Sequence, residues 1–150
     1  MNTQQHRYLE PGWFTTHIFN RSVQRLTKMG ISVAGSRVLR VRGRSSGEWR
    51  STPVNLLTHD GERYLIAPRG TTQWVRNLRA AATGELQVGR RIEAFTATEL
   101  ADDAKLPILR EYLRKWGWEV GQFFEGIDKS STDEQLNAVA AGFPAFRIDR

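Results

Sequence analysis

Two short stretches of this chain carry residue types that can hold an anion. The first, Arg63-Tyr-Leu-Ile-Ala-Pro-Arg-Gly-Thr-Thr-Gln-Trp-Val-Arg-Asn-Leu, reads as a strand, a basic loop and the start of a helix. A helix start exposes backbone N–H groups that have no partner inside the helix, together with a partial positive charge, and so suits phosphate. Arg69 would add a full charge there, Gly70 would let the backbone approach closely, and Thr71 and Thr72 would offer hydroxyl donors or N-caps. An ordinary capped helix after a turn has the same pattern, and spacing alone does not choose between the two. The second stretch runs from Arg42 to Arg50 and reads Arg-Gly-Arg-Ser-Ser-Gly-Glu-Trp-Arg. Successive backbone N–H groups in such a turn form an anion-binding nest, and flanking guanidiniums clamp what sits in it. It lacks the lysine and following helix of a Walker loop, and it is not a dinucleotide fingerprint.

Both stretches fall inside the basic part of the chain. Between Arg37 and Arg91 eleven arginines face four acidic residues, which gives +7; the rest of the sequence carries −1 of the net +6. Arginine is the side chain whose planar fork suits bidentate contact with phosphate or carboxylate. A solvated basic face kept for solubility is the competing account of that cluster. Cysteine is absent, which removes disulfides, thiolate metal sites and cysteine nucleophiles. The three histidines, His6, His17 and His59, form no ligand spacing, so no metal site is expected. The polar start of the chain lacks a signal-like apolar core, and no apolar run has membrane-spanning length. A cytoplasmic protein is the expectation.

The elements that would position these residues follow from periodicity. Trp13 to Met29 has apolar residues at helical steps, ended by Gly30. This is an amphipathic helix that packs on the core, with membrane-surface contact as the alternative. Shorter patterns predict strands over Arg37–Arg42, Arg50–Thr58, Arg63–Ala67, Glu85–Val88, Arg91–Thr98 and Ala145–Ile148. Asp60-Gly61 is a hairpin signal, and Gly89-Arg90 hinges the fourth and fifth strands. A short helix is expected over Gln73–Ala82 and another from Asp102 or Asp103 to about Trp116. Beyond it Gly117, Gly121 and Gly126 interrupt the pattern, and Thr132 with Gln135 makes a capping box for a helix through Ala141. The expected fold class is α+β: a mostly antiparallel barrel of about six strands with peripheral helices. At 150 residues it forms one domain. Its parts are the N-terminal helix 13–29, a segment of barrel strands and anion-binding loops 36–98, a helical region 102–142 and a closing strand 145–148.

Gly43-Arg44-Ser45-Ser46-Gly47, Arg50, Thr52-Pro53-Val54, the strand ending at Ala67, Arg69-Gly70-Thr71 and Trp74-Val75-Arg76-Asn77-Leu78-Arg79-Ala80 together resemble the deazaflavin (F420)-dependent nitroreductase family. The resemblance covers about Arg37 to Phe95. It implies a split β-barrel that binds coenzyme F420, whose tail bears a phosphodiester and carboxylates, and passes its hydride to a small organic acceptor. It also implies a cofactor site lined by Arg50, Thr52, Arg69, Gly70, Thr71, Trp74 and Asn77, with Arg44, Ser45 and Ser46 in the adjoining loop. Ser45-Ser46 stands where the family usually has a lysine-threonine pair, and Thr71-Thr72-Gln73 is a shorter approach to the tryptophan. No correspondence extends over Lys105 to Gly142, the part that tends to shape the acceptor pocket.

Hydride transfer of this kind needs no catalytic triad, since the cofactor carries the hydride and the protein holds and shields it. Tyr112 is a candidate proton donor, and Trp116, Trp118, Phe123 and Phe124 are candidate acceptor-pocket walls. Ordinary core packing is the competing role for all five. Three other readings share these residues. One is a barrel that binds FMN or haem, another is a non-catalytic carrier of a fatty acid or similar small molecule, and the third is a nucleic-acid binder. The third is disfavoured because Tyr64 and Trp74 are the only aromatics in the main strand-to-helix segment. Homodimerisation is left open.

Overall fold

The computed structural model describes residues 36–88, 90–120 and 126–150. The helix expected over 13–29, Gly89, the side chain of Trp118, and Phe123 and Phe124 lie outside the described residues. Six strands follow one another as β1 (Ser36–Arg42), β2 (Trp49–His59), β3 (Glu62–Ile66), β4 (Thr83–Val88), β5 (Arg91–Glu99) and β6 (Ala145–Asp149). They close into a barrel in the order β1-β2-β3-β6-β5-β4, with every neighbouring pair antiparallel. The helices are α1 (Gln73–Ala81), α2 (Leu106–Val120) and α3 (Asp133–Val139). The barrel and its strand count are as the sequence predicts, and each strand lies within about two residues of its expected bounds.

Alternation along the strands produces two cores. Leu39, Val41, Val54, Leu65, Leu86, Phe95, Phe146 and Ile148 point inward, and α1 adds Val75 and Leu78 to the same buried cluster. The opposite faces of β2, β3 and β6 present Leu57, Ile66 and Ala145 to α2 and α3, which contribute Ile108, Leu109, Tyr112, Leu113, Trp116 and Leu136. At about 25 cal/mol per Å² of apolar area, burial of this kind is what holds the helices to the barrel wall.

Local signals explain the connections. Asp60 and Gly61 take φ of 50° and 79°, the paired positive values that a two-residue hairpin matching strand twist requires. Gly84 faces Phe95 across β4 and β5. A Cβ there would lie 2.8 Å from the Phe95 ring and 3.0 Å from the Arg40 carbonyl, so only glycine lets that ring lie against the strand. Thr132 and Gln135 form the expected reciprocal capping box of α3. α2 departs from expectation. It begins at Leu106 after a 3-10 turn over Asp102–Ala104, and it runs through Gly117 to Val120 rather than ending near Trp116. A glycine costs a helix only about 1 kcal/mol relative to alanine, less than the apolar face of α2 gains by packing.

The helical region leaves and rejoins the barrel at one point. Glu99 pairs with Phe146, and the Leu100 N–H donates to the Ala145 carbonyl at 2.8 Å. Among the described residues no helix is long and apolar enough to cross a membrane, and no group of three or more His, Asp or Glu residues is placed to hold a metal ion.

Candidate functional site

At the end of the barrel where β1 finishes and β2 begins, the interior opens into a cavity of about 550 Å³. Inward positions of the two strands form its floor. Val41 and Arg50 are directly paired across β1 and β2, and Thr52 follows two residues on, beside Leu39. The loop Gly43–Glu48 folds over one side, contributing Arg44, Ser45 and Ser46. The start of α1 closes the other, with Arg69, Thr72, Gln73, Trp74 and Asn77.

The loop is tied by its own backbone, with the Gly43 N–H on the Glu48 carbonyl at 2.7 Å and the Gly47 N–H on the Gly43 carbonyl at 2.9 Å. It is also tied across to α1, because Asn77 Oδ1 accepts from the Arg44 backbone N–H at 3.1 Å and from its guanidinium at 2.8 Å. The approach to α1 turns at Gly70, whose φ of 88° favours glycine; its N–H donates to the Ala67 carbonyl, and its own carbonyl accepts from Thr72 N–H.

Thr72 is the N-cap of α1, yet its side chain does not cap the helix. Its hydroxyl oxygen is out of solvent contact and has no hydrogen-bond partner among the described residues. An orphaned buried hydroxyl costs about 1 to 3 kcal/mol. It lies beside the N–H groups that the first turn of a helix leaves without intrahelical partners. A side pocket of about 20 Å³ against Thr52, Pro68, Arg69, Thr72 and Trp74, about the room of one water, adjoins the same wall.

Charge follows the same geometry. Among the described residues, Arg40, Arg63, Arg79, Arg110, Arg114, Arg147 and Arg150 each pair with a carboxylate. Among the described residues Arg44 and Arg50, which both line the cavity, pair with none, as do Arg42, Arg76, Arg90 and Arg91 away from it. The cavity therefore holds cationic groups whose charge no carboxylate of the described residues cancels, next to a buried hydroxyl and a helix start. That donor set fits a phosphate and further carboxylates.

Of the residues that the sequence marks for cofactor contact, Arg44, Ser45, Ser46, Arg50, Thr52, Arg69, Trp74 and Asn77 are brought together on the cavity wall, while Gly70 and Thr71 sit behind it, buried in the turn. The cavity adds Val41, Gly43, Ser51, Thr72 and Gln73. Of these, Thr72 had a sequence signal as an N-cap or hydroxyl donor, and Gly43 had one as part of the loop between Arg42 and Arg50. Tyr112 and Trp116 are not on this wall. Tyr112 is fully buried between the barrel and α2, where its hydroxyl oxygen accepts from Asn55 Nδ2 at 2.7 Å. Trp116 packs edge-on against it with ring centroids 5.1 Å apart. Both belong to the outer core.

Residues 15–129 match the family described as F420H(2)-dependent quinone reductase. Among solved structures, an F420-H2 dependent reductase is 17% identical, with 77% of this chain and 94% of that one covered and a TM-score of 0.51. A structure described as a domain-swapped dimer is 20% identical over 93% of this chain and 100% of that one, with a TM-score of 0.49. A protein of unknown function from Agrobacterium tumefaciens is 16% identical over 76% and 47% of the two chains, also with a TM-score of 0.49. The first of these shares the fold. A search of curated proteins finds no match.

Proposed function

Because the chain belongs to the F420H(2)-dependent quinone reductase family and is an F420-dependent oxidoreductase, we propose that its cavity between the β1–β2 loop and the start of α1 holds the anionic part of that cofactor. The observation that carries this placement is the pair of cavity arginines, Arg44 and Arg50, left without carboxylate partners among the described residues. The family assignment also favours F420 over FMN, haem or a fatty acid.

When bound, the reduced deazaflavin supplies the hydride. The work left to this chain is to bind, orient and shield. The first N–H groups of α1, beside Thr72, would take a phosphate oxygen, as helix starts do. Arg44, Arg50 and Arg69 hold the remaining anionic oxygens, and Arg44 and Arg50 approach from strands and a loop that the barrel fixes in place. Trp74 stands against Phe146 of the inner core, ring centroids 6.0 Å apart, and with Val41 gives the cavity an apolar wall that keeps water off one side of what binds. Protonation of the reduced acceptor is left to a hydroxyl or to solvent, because no acidic side chain among the described residues lines the cavity.

The acceptor is a small organic molecule, and the quinone in the family's description is the class to assay first. Titration of the purified protein with F420, followed by the cofactor's own fluorescence, is expected to saturate in the micromolar range or below. FMN and nicotinamide cofactors are expected to bind far more weakly. FMN bound as tightly as F420 would overturn the assignment of the cavity.

A further inference from the structure

Arg44 is held in a different way from the arginines that serve only the fold. Its Nη1 donates to Gln73 Oε1 at 2.9 Å and to Asn77 Oδ1 at 2.8 Å, and its backbone N–H reaches the same Asn77 oxygen at 3.1 Å. Asn77 is 5% exposed, fixed one turn into α1 beside the buried Leu78. One amide oxygen therefore sets both the backbone and the head group of a residue 33 positions away. Arg40, Arg63 and Arg79 instead take a carboxylate, on Glu85, Glu93 and Glu99 at 2.7 to 2.8 Å, while Arg42 takes the Gly47 backbone carbonyl at 2.9 Å. A carboxylate orients a guanidinium and also cancels its charge, whereas a neutral amide oxygen orients it and leaves the charge available. Among the described residues the Arg44 guanidinium makes no other hydrogen bond, so its Nε and Nη2 remain to meet a ligand.

We propose that Asn77 and Gln73 are positioning residues whose neutral amide oxygens hold Arg44 at the cavity rim with its charge uncancelled, so that a carboxylate at either position would preserve the geometry and abolish the attraction for an anion. The inference rests on the reading that an anionic cofactor tail occupies this cavity. It makes the amide identity of two α1 residues a determinant of cofactor affinity, and it assigns Asn77 a role exercised through Arg44.

The test compares Asn77→Asp, Gln73→Glu, Asn77→Ala, Arg44→Ala and the Arg44→Ala/Asn77→Ala double variant. Each is measured for F420 affinity by fluorescence titration at several salt concentrations and for melting temperature. Asn77→Asp and Gln73→Glu are expected to melt at or above the temperature of the parent protein. They should bind F420 about tenfold or more weakly, the loss that follows when one charged hydrogen-bonding partner is neutralised. Their affinity should also depend less steeply on salt, because one ionic contact fewer is available to screen. A group that acts through another is silent once the other is gone, so Asn77→Ala should weaken binding in the parent and add nothing in the Arg44→Ala background. Gln73 is exposed, so its variant stays folded even if Asn77 variants do not.

Parent-like affinity in both Asn77→Asp and Gln73→Glu would overturn the inference, as would additive losses in the Arg44→Ala/Asn77→Ala cycle, while the cavity assignment would stand. Unchanged affinity in Arg44→Ala itself would take down both the inference and the assignment of the cavity.

Discussion

Replacing Arg50 by alanine tests the cavity most directly. Arg50 sits at an inward position of β2 opposite Val41, lines the cavity and makes no ion pair among the described residues, so its removal should spare the fold. At 4 Å from an anionic oxygen, a guanidinium gains about 1 kcal/mol in bulk water and about 4 kcal/mol at an effective dielectric of about 20. Net charged hydrogen bonds contribute about 1.5 to 3 kcal/mol. Arg50 is exposed and well solvated, so its share lies at the low end, about 1.5 to 2 kcal/mol, or roughly a 12- to 30-fold rise in Kd for F420. Arg69 is partly buried, and Arg69→Ala should reach toward about 3 kcal/mol, roughly 150-fold. Fluorescence titration reads both, and melting temperature checks that neither unfolds the barrel. Unchanged F420 affinity in both variants would refute the reasoning, since a cavity that binds the anion without its arginines is not organised by charge.

Three further outcomes follow from packing and ionisation. Gly84→Ala sets a methyl against the Phe95 ring and the Arg40 carbonyl and should destabilise the barrel by about 1 to 3 kcal/mol, read by urea or thermal unfolding; wild-type stability would mean the two strands can part there at no cost. The hydrogen bond from Arg63 holds the Glu93 carboxyl below its ordinary value, against the opposing effect of burial, and Arg150 adds to the lowering. Its stabilising contribution is thus complete above the ordinary carboxylate value and is lost as pH falls through the lowered one. Glu93→Gln should therefore be less stable than the parent at neutral pH, with the gap closing in acid; a gap that widens as pH falls would contradict the sign. Tyr112→Phe removes the acceptor from Asn55 inside the outer core and should cost about 1 to 3 kcal/mol of stability without changing F420 affinity; a lower affinity would tie this tyrosine to the cavity after all.

The strand pattern was readable because each strand of the barrel buries one face, so alternation survives in the sequence from Leu39 and Val41 to Phe146 and Ile148. Asp60-Gly61 and Thr132 with Gln135 were readable for a different reason: the chemistry is local, set by positive φ in one case and a reciprocal cap in the other. The arginine- and glycine-rich loops were visible in composition, and the resemblance supplied their order. What could not be read is pairwise and distant. Nothing in the spacing of Arg44 and Asn77 says that one oxygen holds the other residue, and nothing near Gln73 marks it as part of the same grip. The aromatic residues of α2 were ambiguous because an amphipathic helix looks alike whether its apolar face meets a ligand or a barrel wall. For Tyr112 and Trp116 the barrel wall is the partner. Gly117 suggested an early stop because helix propensity is a local quantity, and the tertiary contacts that override it are not.

The meeting of Leu100 and Ala145 sets how much change the segment between them can take without disturbing the barrel. Since the chain departs from and returns to the wall at two hydrogen-bonded neighbours, everything between them is, for the strand order, a single long insertion. Doubling the length of an insertion adds only about 0.6 kcal/mol of closure entropy. Changes of length or sequence between those two neighbours therefore leave the strand order, and with it the cavity between the β1–β2 loop and the start of α1, in place.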